Sequence, residues 1–181
     1  MKGFKKGTIF ILTVFLILGL LGYMYISLYR TKPFDIREFD QEHHTTFENS
    51  GYFYSQQTTL VPPGYLTKVY IFHGVREGLG YSNIRVYNTR VDVDTTDIPN
   101  SVLLEESEHT VLSLPATILL YKESDSTKEI YRPSFKAFFD REGYFYVLWI
   151  NYDDIYTKDT DYIDEKDVVY IEKYLTDIFS Q

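Results

Sequence analysis

The chain has 181 residues, a net charge of −8, 18 tyrosines and no cysteine. An acidic chain lacks the basic face that displaces counterions from phosphates, so the charge balance argues against a nucleic-acid partner. Without cysteine the chain has no disulfide, no thiol chemistry and no thiolate metal site.

The amino terminus combines a basic flank with an apolar run. Lys2, Lys5 and Lys6 precede a charge-free stretch from Gly7 to Tyr29. At about 1.5 Å per residue, a helix of this length crosses a hydrocarbon core of roughly 30 Å. The residues after the run are bulky and show no A-x-A pattern. We therefore predict an uncleaved transmembrane anchor rather than a signal peptide.

The flanks of this run predict its orientation, because positive residues favour the cytoplasmic side of a membrane. We predict residues 1–6 as a cytoplasmic amino terminus and 7–29 as the anchor, with the lipid bilayer as its partner. Residues 30–50 are predicted as a stalk, and 51–181 as one extracytoplasmic domain at the cell membrane.

Within the domain, runs of aromatic and β-branched residues between glycines and prolines predict strands. They fall at 51–61, 66–74, 81–94 and 116–123, and "FKAFFDREGYFYVLWIN" predicts a hairpin over 135–151.

Two further segments predict helices. Over 98–112, Asn100 or Ser101 can cap the amino terminus, and early glutamates suit the helix dipole. Over 164–180, apolar residues recur at helical spacing. Interleaved strands and helices predict an α/β or α+β fold, with helices packed on a mixed sheet.

The order "RVDVD", "SVLLEESEHTVLSLP" and "TILLYKE" resembles the second half of a thioredoxin-like domain. The resemblance implies a cis Leu114–Pro115 bond and a binding turn at Pro115 and Thr117. The family's C-x-x-C motif is missing, since "HGVREGLG" stands in its place, so the resemblance implies a redox-inactive member. The alternative needs no family relationship: a trans proline that ends a helix and starts a strand accounts for the same sequence pattern.

Candidate site residues lie at the end of the strand over 66–74. His73, Arg76 and Glu77 are placed where binding residues often occur. The nearby glycines lack the G-K-[ST] sequence that follows a phosphate-binding loop.

We expect no cofactor and no metal site. The alternative is an irregular calcium site at Asp92, Asp94 and Asp97, although this stretch lacks the EF-hand glycine and glutamate.

Neither G-x-S-x-G nor H-E-x-x-H is present, so we expect a protein that is not an enzyme. The first hypothesis is a membrane-anchored binding or accessory protein for an envelope process such as secretion, conjugation, competence or surface assembly, with an envelope or secreted protein as partner. The alternatives are a redox-inactive thioredoxin-like chaperone or accessory module, and an extracytoplasmic hydrolase that works through two carboxylates.

Overall fold

A computed structural model describes residues 3–29, 34–60, 67–76, 79–90, 100–124, 129–151 and 156–179. The helices in these ranges are α1 (Gly3–Tyr29), α2 (Ile36–His43) and α3 (Glu165–Phe179), with a 3-10 turn at Glu48–Ser50. The strands are β1 (Tyr52–Leu60), β2 (Thr67–Arg76), β3 (Leu79–Tyr87), β4 (Ser101–Val111), β5 (Leu114–Glu123), β6 (Ser134–Arg141) and β7 (Tyr144–Ile150).

All seven strands form one sheet in the order β1-β2-β3-β7-β6-β5-β4. Every neighbouring pair is antiparallel. The chain crosses from β3 to the far edge, where β4 lies, and returns strand by strand to β7. The fold is therefore α+β, and the predicted mixed sheet is wrong: five of the six neighbouring pairs join strands consecutive in the chain, which pair antiparallel without a crossover, and the sixth, β3 with β7, is antiparallel as well.

The predicted hairpin over 135–151 is confirmed as β6 and β7. Its two-residue turn places Glu142 at φ 52° and Gly143 at φ 81°. Two positive φ values match the twist of the flanking strands, and Asp-, Asn- or Gly-rich turns favour them.

The predicted helix over 98–112 is wrong, because Ser101–Val111 form β4. It pairs with β5 along its whole length, from Ser101 opposite Glu123 to Val111 opposite Leu114. Local capping residues and glutamates favour a helix, but pairing with the strongly apolar β5 outweighs that preference.

The predicted cis bond is also wrong, because the Leu114–Pro115 bond is trans. Pro115 lies in β5, opposite Thr110 of β4, with its side chain exposed. It follows the two-residue turn of the β4–β5 hairpin and stands near the start of its strand, where proline is tolerated.

One face of the sheet, here called the helix face, carries the main core. Ile118, Leu120 and Leu148 of the sheet are almost fully buried against Ile171 and Leu175 of α3. The predicted apolar stripe of the carboxyl-terminal helix is thus confirmed as the side that packs on the sheet.

The segment assigned to a stalk contributes to the same core. Phe39 of α2 and Phe47, just before the 3-10 turn, are 3% and 0% exposed. Asp40 fixes the turn between them, because its carboxylate accepts hydrogen bonds from the Thr45 hydroxyl (2.6 Å) and the Phe47 backbone N–H (2.9 Å). Residues 34–50 therefore pack with the sheet.

Helix α1 has 27 residues, and its described side chains are those of residues 10–24. Its large apolar side chains are exposed, from Phe10 (70%) to Met24 (51%). Judged on the described residues alone, none of the helices combines the length and the apolarity that a membrane crossing requires.

Candidate functional site

The other face of the sheet, here called the far face, carries four polar or amphipathic side chains in one row. His73 of β2 pairs with Asn83 of β3, Asn83 with Trp149 of β7, and Trp149 with Lys136 of β6. Since directly opposed residues lie about 5 Å apart on the same face, these four side chains are consecutive neighbours across the sheet. We call them the polar row.

His73 is held by two neighbours. The Tyr81 hydroxyl lies 2.6 Å from its Nδ1, and the Asn83 side-chain nitrogen lies 3.0 Å from the same atom. Burial, and then the positive charge of Arg85, lower the pKa of His73. The imidazole is therefore neutral near pH 7 and serves as a hydrogen-bonding group.

Lys136 is buried among aromatic rings, with the residue 7% exposed. Its Nζ lies 5.5 Å from the centre of the Tyr121 ring and 5.6 Å from that of Trp149. Ring faces attract a cation, which offsets part of the cost of burying this charge. The Trp149 Nε1 is buried without a hydrogen-bond partner among the described residues.

The polar row consists of an imidazole, an amide, an indole and a buried ammonium group. Among the residues described by the structure, no three His, Asp or Glu side chains come together as metal ligands. A buried cation, an indole N–H and a neutral imidazole together suit hydrogen bonding and ring contacts.

The sequence-predicted site residues do not form one cluster. His73 belongs to the polar row, whereas Thr117 lies on the same face but four strands away, about 19 Å at normal strand spacing. The Thr117 hydroxyl instead donates to Glu108 at 2.6 Å. Pro115 is exposed on the same strand as Thr117.

The other candidates fall wholly or partly outside the described residues. Arg76 ends β2, but its side chain is not among those described, and Glu77 lies outside the described ranges. Asp92, Asp94 and Asp97, the alternative calcium ligands, lie there as well, so that site stays a prediction.

Sequence reasoning missed Asn83, Trp149 and Lys136. They come from β3 and from the β6–β7 hairpin, which is distant from β3 in the sequence, and only the strand register makes them neighbours of His73. One signal was available: Lys136 is a charged residue inside the aromatic run of a hairpin strand, where an inward-facing charge needs a compensating neighbour.

A second feature is an open groove beside the amino-terminal half of α3. It has a volume of about 600 Å³ and lies between His109 and Thr110 of β4 and Val168 and Val169 of α3. A smaller groove of about 370 Å³ lies on the other side of Val169, along Tyr156 and Tyr170.

No family model matches the chain, and no curated protein or solved structure matches it either.

Proposed function

We propose that the chain is a non-catalytic binding or accessory protein that is anchored in the cell membrane by its amino-terminal helix. The amino terminus lies in the cytoplasm and the sheet domain lies outside, where it supports an envelope process such as secretion, conjugation, competence or surface assembly. Its partner is an envelope or secreted protein.

The observation that carries the membrane proposal is the exposure of α1. Phe10, Phe15, Leu16 and Tyr23 are each 70–74% exposed, and the other large apolar side chains between them are exposed on every side of the helix. An all-round apolar helix has no stable place in water, so it must be covered. In the sequence, the charge-free run over 7–29 has the length that a bilayer crossing needs.

The binding proposal rests on the chemistry of the polar row. The row brings together a buried lysine, an indole N–H and a neutral histidine, groups that suit hydrogen bonds and ring contacts with a partner. The hydrolase alternative requires an acid whose pKa is raised. Among the described residues, Asp164 is a carboxyl whose pKa moves the opposite way: burial alone would raise its pKa, but backbone N–H groups and Lys158 hold it below its usual value.

The thioredoxin-like alternative draws no support from the fold. The Leu114–Pro115 bond is trans and every strand pair is antiparallel, whereas that resemblance implies a cis bond. No specific observation therefore favours it as a second function.

The anchor is tested by fractionating cells that express the full chain. We expect it in membranes after alkaline extraction, with the domain accessible to protease from outside. A Leu16→Lys/Leu20→Lys variant should leave the membrane fraction, because each lysine near the bilayer centre costs about 2.5–3.5 kcal/mol. The matched control is Lys5→Leu/Lys6→Leu, which should remain in the membrane. Extraction of the unchanged protein would contradict the anchor.

The binding role is tested by photo-crosslinking in cells, with a crosslinking residue placed singly at several exposed positions. Arg85 probes the far face, Glu106 the β4 edge and Glu38 the surface of α2. We expect one dominant envelope or secreted protein from at least one surface. No crosslink from any surface would contradict the proposed function.

A further inference from the structure

Strand β4 forms one edge of the sheet. It has 11 residues and pairs with β5, and it pairs with no other strand in the described part of the chain. An edge strand presents a row of unpaired backbone N–H and C=O groups, which can accept another extended chain. Such an edge is a template for binding unless the sequence or a covering element blocks it.

The groove described above runs beside this edge. Its walls are His109 and Thr110 from β4, Ile163, Val168 and Val169 at and before the start of α3, and the acidic Asp164 and Glu165. Val169 is 52% exposed and leaves apolar surface open in the groove. A chain added to β4 would therefore lie beside α3, and its side chains on the helix face would enter this mainly apolar groove.

The opposite side of the same edge is acidic. Glu106 and Glu108 are exposed and pair with Leu119 and Thr117, which places them on the far face. The third glutamate of β4, Glu105, pairs with Leu120 on the helix face and accepts a hydrogen bond from the Ile163 backbone N–H; β4 has neither lysine nor arginine. A strand added to β4 would therefore meet the mainly apolar groove with one set of alternate side chains and the carboxylates of Glu106 and Glu108 with the other set.

We infer that the β4 edge binds an extended basic segment of a protein partner by strand addition, in which apolar and basic residues alternate. The apolar residues enter the groove along α3, and the basic residues pair with Glu106 and Glu108. This inference rests on the proposed binding function and names the surface and the chemistry of the partner. Backbone hydrogen bonds hold the segment, and the alternation of side chains selects it.

A second copy of this chain is a poor occupant of the edge. Two antiparallel β4 strands centred on Ser107 would place Glu106 of each copy opposite Glu108 of the other. Like charges directly opposite on neighbouring strands are destabilising. The negative charge of the edge thus favours a basic partner and disfavours self-association.

The test uses the full chain in a non-ionic detergent and a blocked, fluorescein-labelled peptide of alternating lysine and valine, as long as β4. Fluorescence anisotropy should report saturable binding. A Glu106→Lys/Glu108→Lys variant should bind about tenfold more weakly, because two attractive cross-strand pairs become repulsive. The matched control is Glu38→Lys/Glu129→Lys, which changes the net charge equally at exposed sites outside β4 and should bind like the unchanged protein.

A second probe separates strand addition from simple charge attraction. This probe is the same lysine–valine peptide with alternate backbone nitrogens methylated. It keeps every charge but lacks the N–H donors along one edge of the extended peptide. Its binding should be at least tenfold weaker. Circular dichroism of each variant checks that the sheet is intact, and hydrogen exchange should show new protection of amides within 102–111 when the unmethylated peptide binds.

Several outcomes would overturn the inference: no saturable binding, equal binding of the methylated peptide, equal loss in the two charge variants, or a dimer of the unchanged protein that the β4 variant abolishes. These results concern the edge alone. A partner crosslinked at Arg85 without lysine–valine binding would leave the proposed function standing and remove only the edge, whereas the absence of any crosslink would remove the proposed function itself.

Discussion

Lys158 and Asp167 form an ion pair inside the protein, with Nζ and Oδ2 2.6 Å apart and side chains 3% and 0% exposed. The same carboxylate accepts hydrogen bonds from the Tyr156 hydroxyl and from the Asp164 backbone N–H, each at 2.8 Å. Asp164 in turn accepts from the Lys166 backbone N–H at 2.8 Å. The pair is thus part of the cap that starts α3, as in a reciprocal capping box.

We expect Lys158→Met to lower the free energy of unfolding by about 3–5 kcal/mol, because it leaves the Asp167 carboxylate buried without its counterion. Adding Asp167→Asn should recover part of this loss, since both charges are then absent. The exposed Lys166→Met is the control and should change stability little. Urea unfolding of the three variants measures the difference, and equal effects of Lys158→Met and Lys166→Met would contradict the prediction.

His43 should make stability depend on pH. The residue is 3% exposed, its ring lies against Phe39 and Tyr144, and its Nε2 has no hydrogen-bond partner among the described residues. Burial lowers the pKa of His43 from its ordinary 6.5, and this outweighs the charges that surround it. The titratable groups that act on it are Asp40, Glu42, His44 and Glu142, with the Tyr70 and Tyr144 rings packed beside it.

Because the folded protein binds this proton less readily than the unfolded chain, the stability due to neutral His43 is complete above about pH 6.5. It declines as the pH falls from there through the lowered folded pKa. We expect His43→Phe to flatten this part of the profile of unfolding free energy between about pH 5 and 7. His44→Asn, at an exposed helix end, should retain it. An unchanged slope in His43→Phe would show that another group causes the dependence.

Gly74 makes room for a buried ring. A Cβ at this position would lie 2.9 Å from Cδ1 of Tyr52, whose hydroxyl is 2.9 Å from that of Ser82. We expect Gly74→Ala to destabilise the domain by about 1–3 kcal/mol through overpacking. The same substitution in a Tyr52→Leu background should cost less, and a double-mutant cycle of thermal unfolding measures the difference. Additive effects would contradict a clash with the ring.

The β4–β5 turn contains avoidable backbone strain. Leu112 and Ser113 have φ values of 48° and 66°, and the Leu112 N–H donates to Glu172 of α3 at 2.8 Å. A left-handed conformation costs a non-glycine residue roughly 1–2 kcal/mol. We expect Ser113→Gly to stabilise the domain by about 0.5–1 kcal/mol. This net gain is the relief of backbone strain minus the conformational entropy that glycine adds to the unfolded chain. Ser113→Val should destabilise it, and the opposite order of melting temperatures would contradict this turn geometry.

The sequence predicted those elements whose signals are local. The β6–β7 hairpin carries two aromatic runs around Glu142 and Gly143, and the carboxyl-terminal helix carries a period of 3.6 and a capping residue. Strand β4 was predicted as a helix because Asn100, Ser101 and the glutamates satisfy helix rules locally. What decides its structure is the pairing with β5, a long-range interaction that local propensity does not contain.

The candidate site was only partly predicted, because its geometry also depends on long-range strand pairing. His73 was identified as a residue near a strand end, yet β2 continues to Arg76 and places the imidazole within the strand. Its neighbours Asn83, Trp149 and Lys136 depend on the register of three strand pairs. A shift of one residue in any of these pairs would turn that side chain to the other face, and sequence alone does not fix the register.

The two ends of the domain meet at the last turn of α3. The Thr46 backbone N–H donates to the carbonyl of Ile178 at 2.9 Å, and the Ser50 hydroxyl donates to that of Asp177 at 2.9 Å. Residues 46–50 are thus made before their partners in α3. Until α3 leaves the ribosome, Phe39 and Phe47 lack part of their cover, so the nascent chain carries exposed aromatic surface.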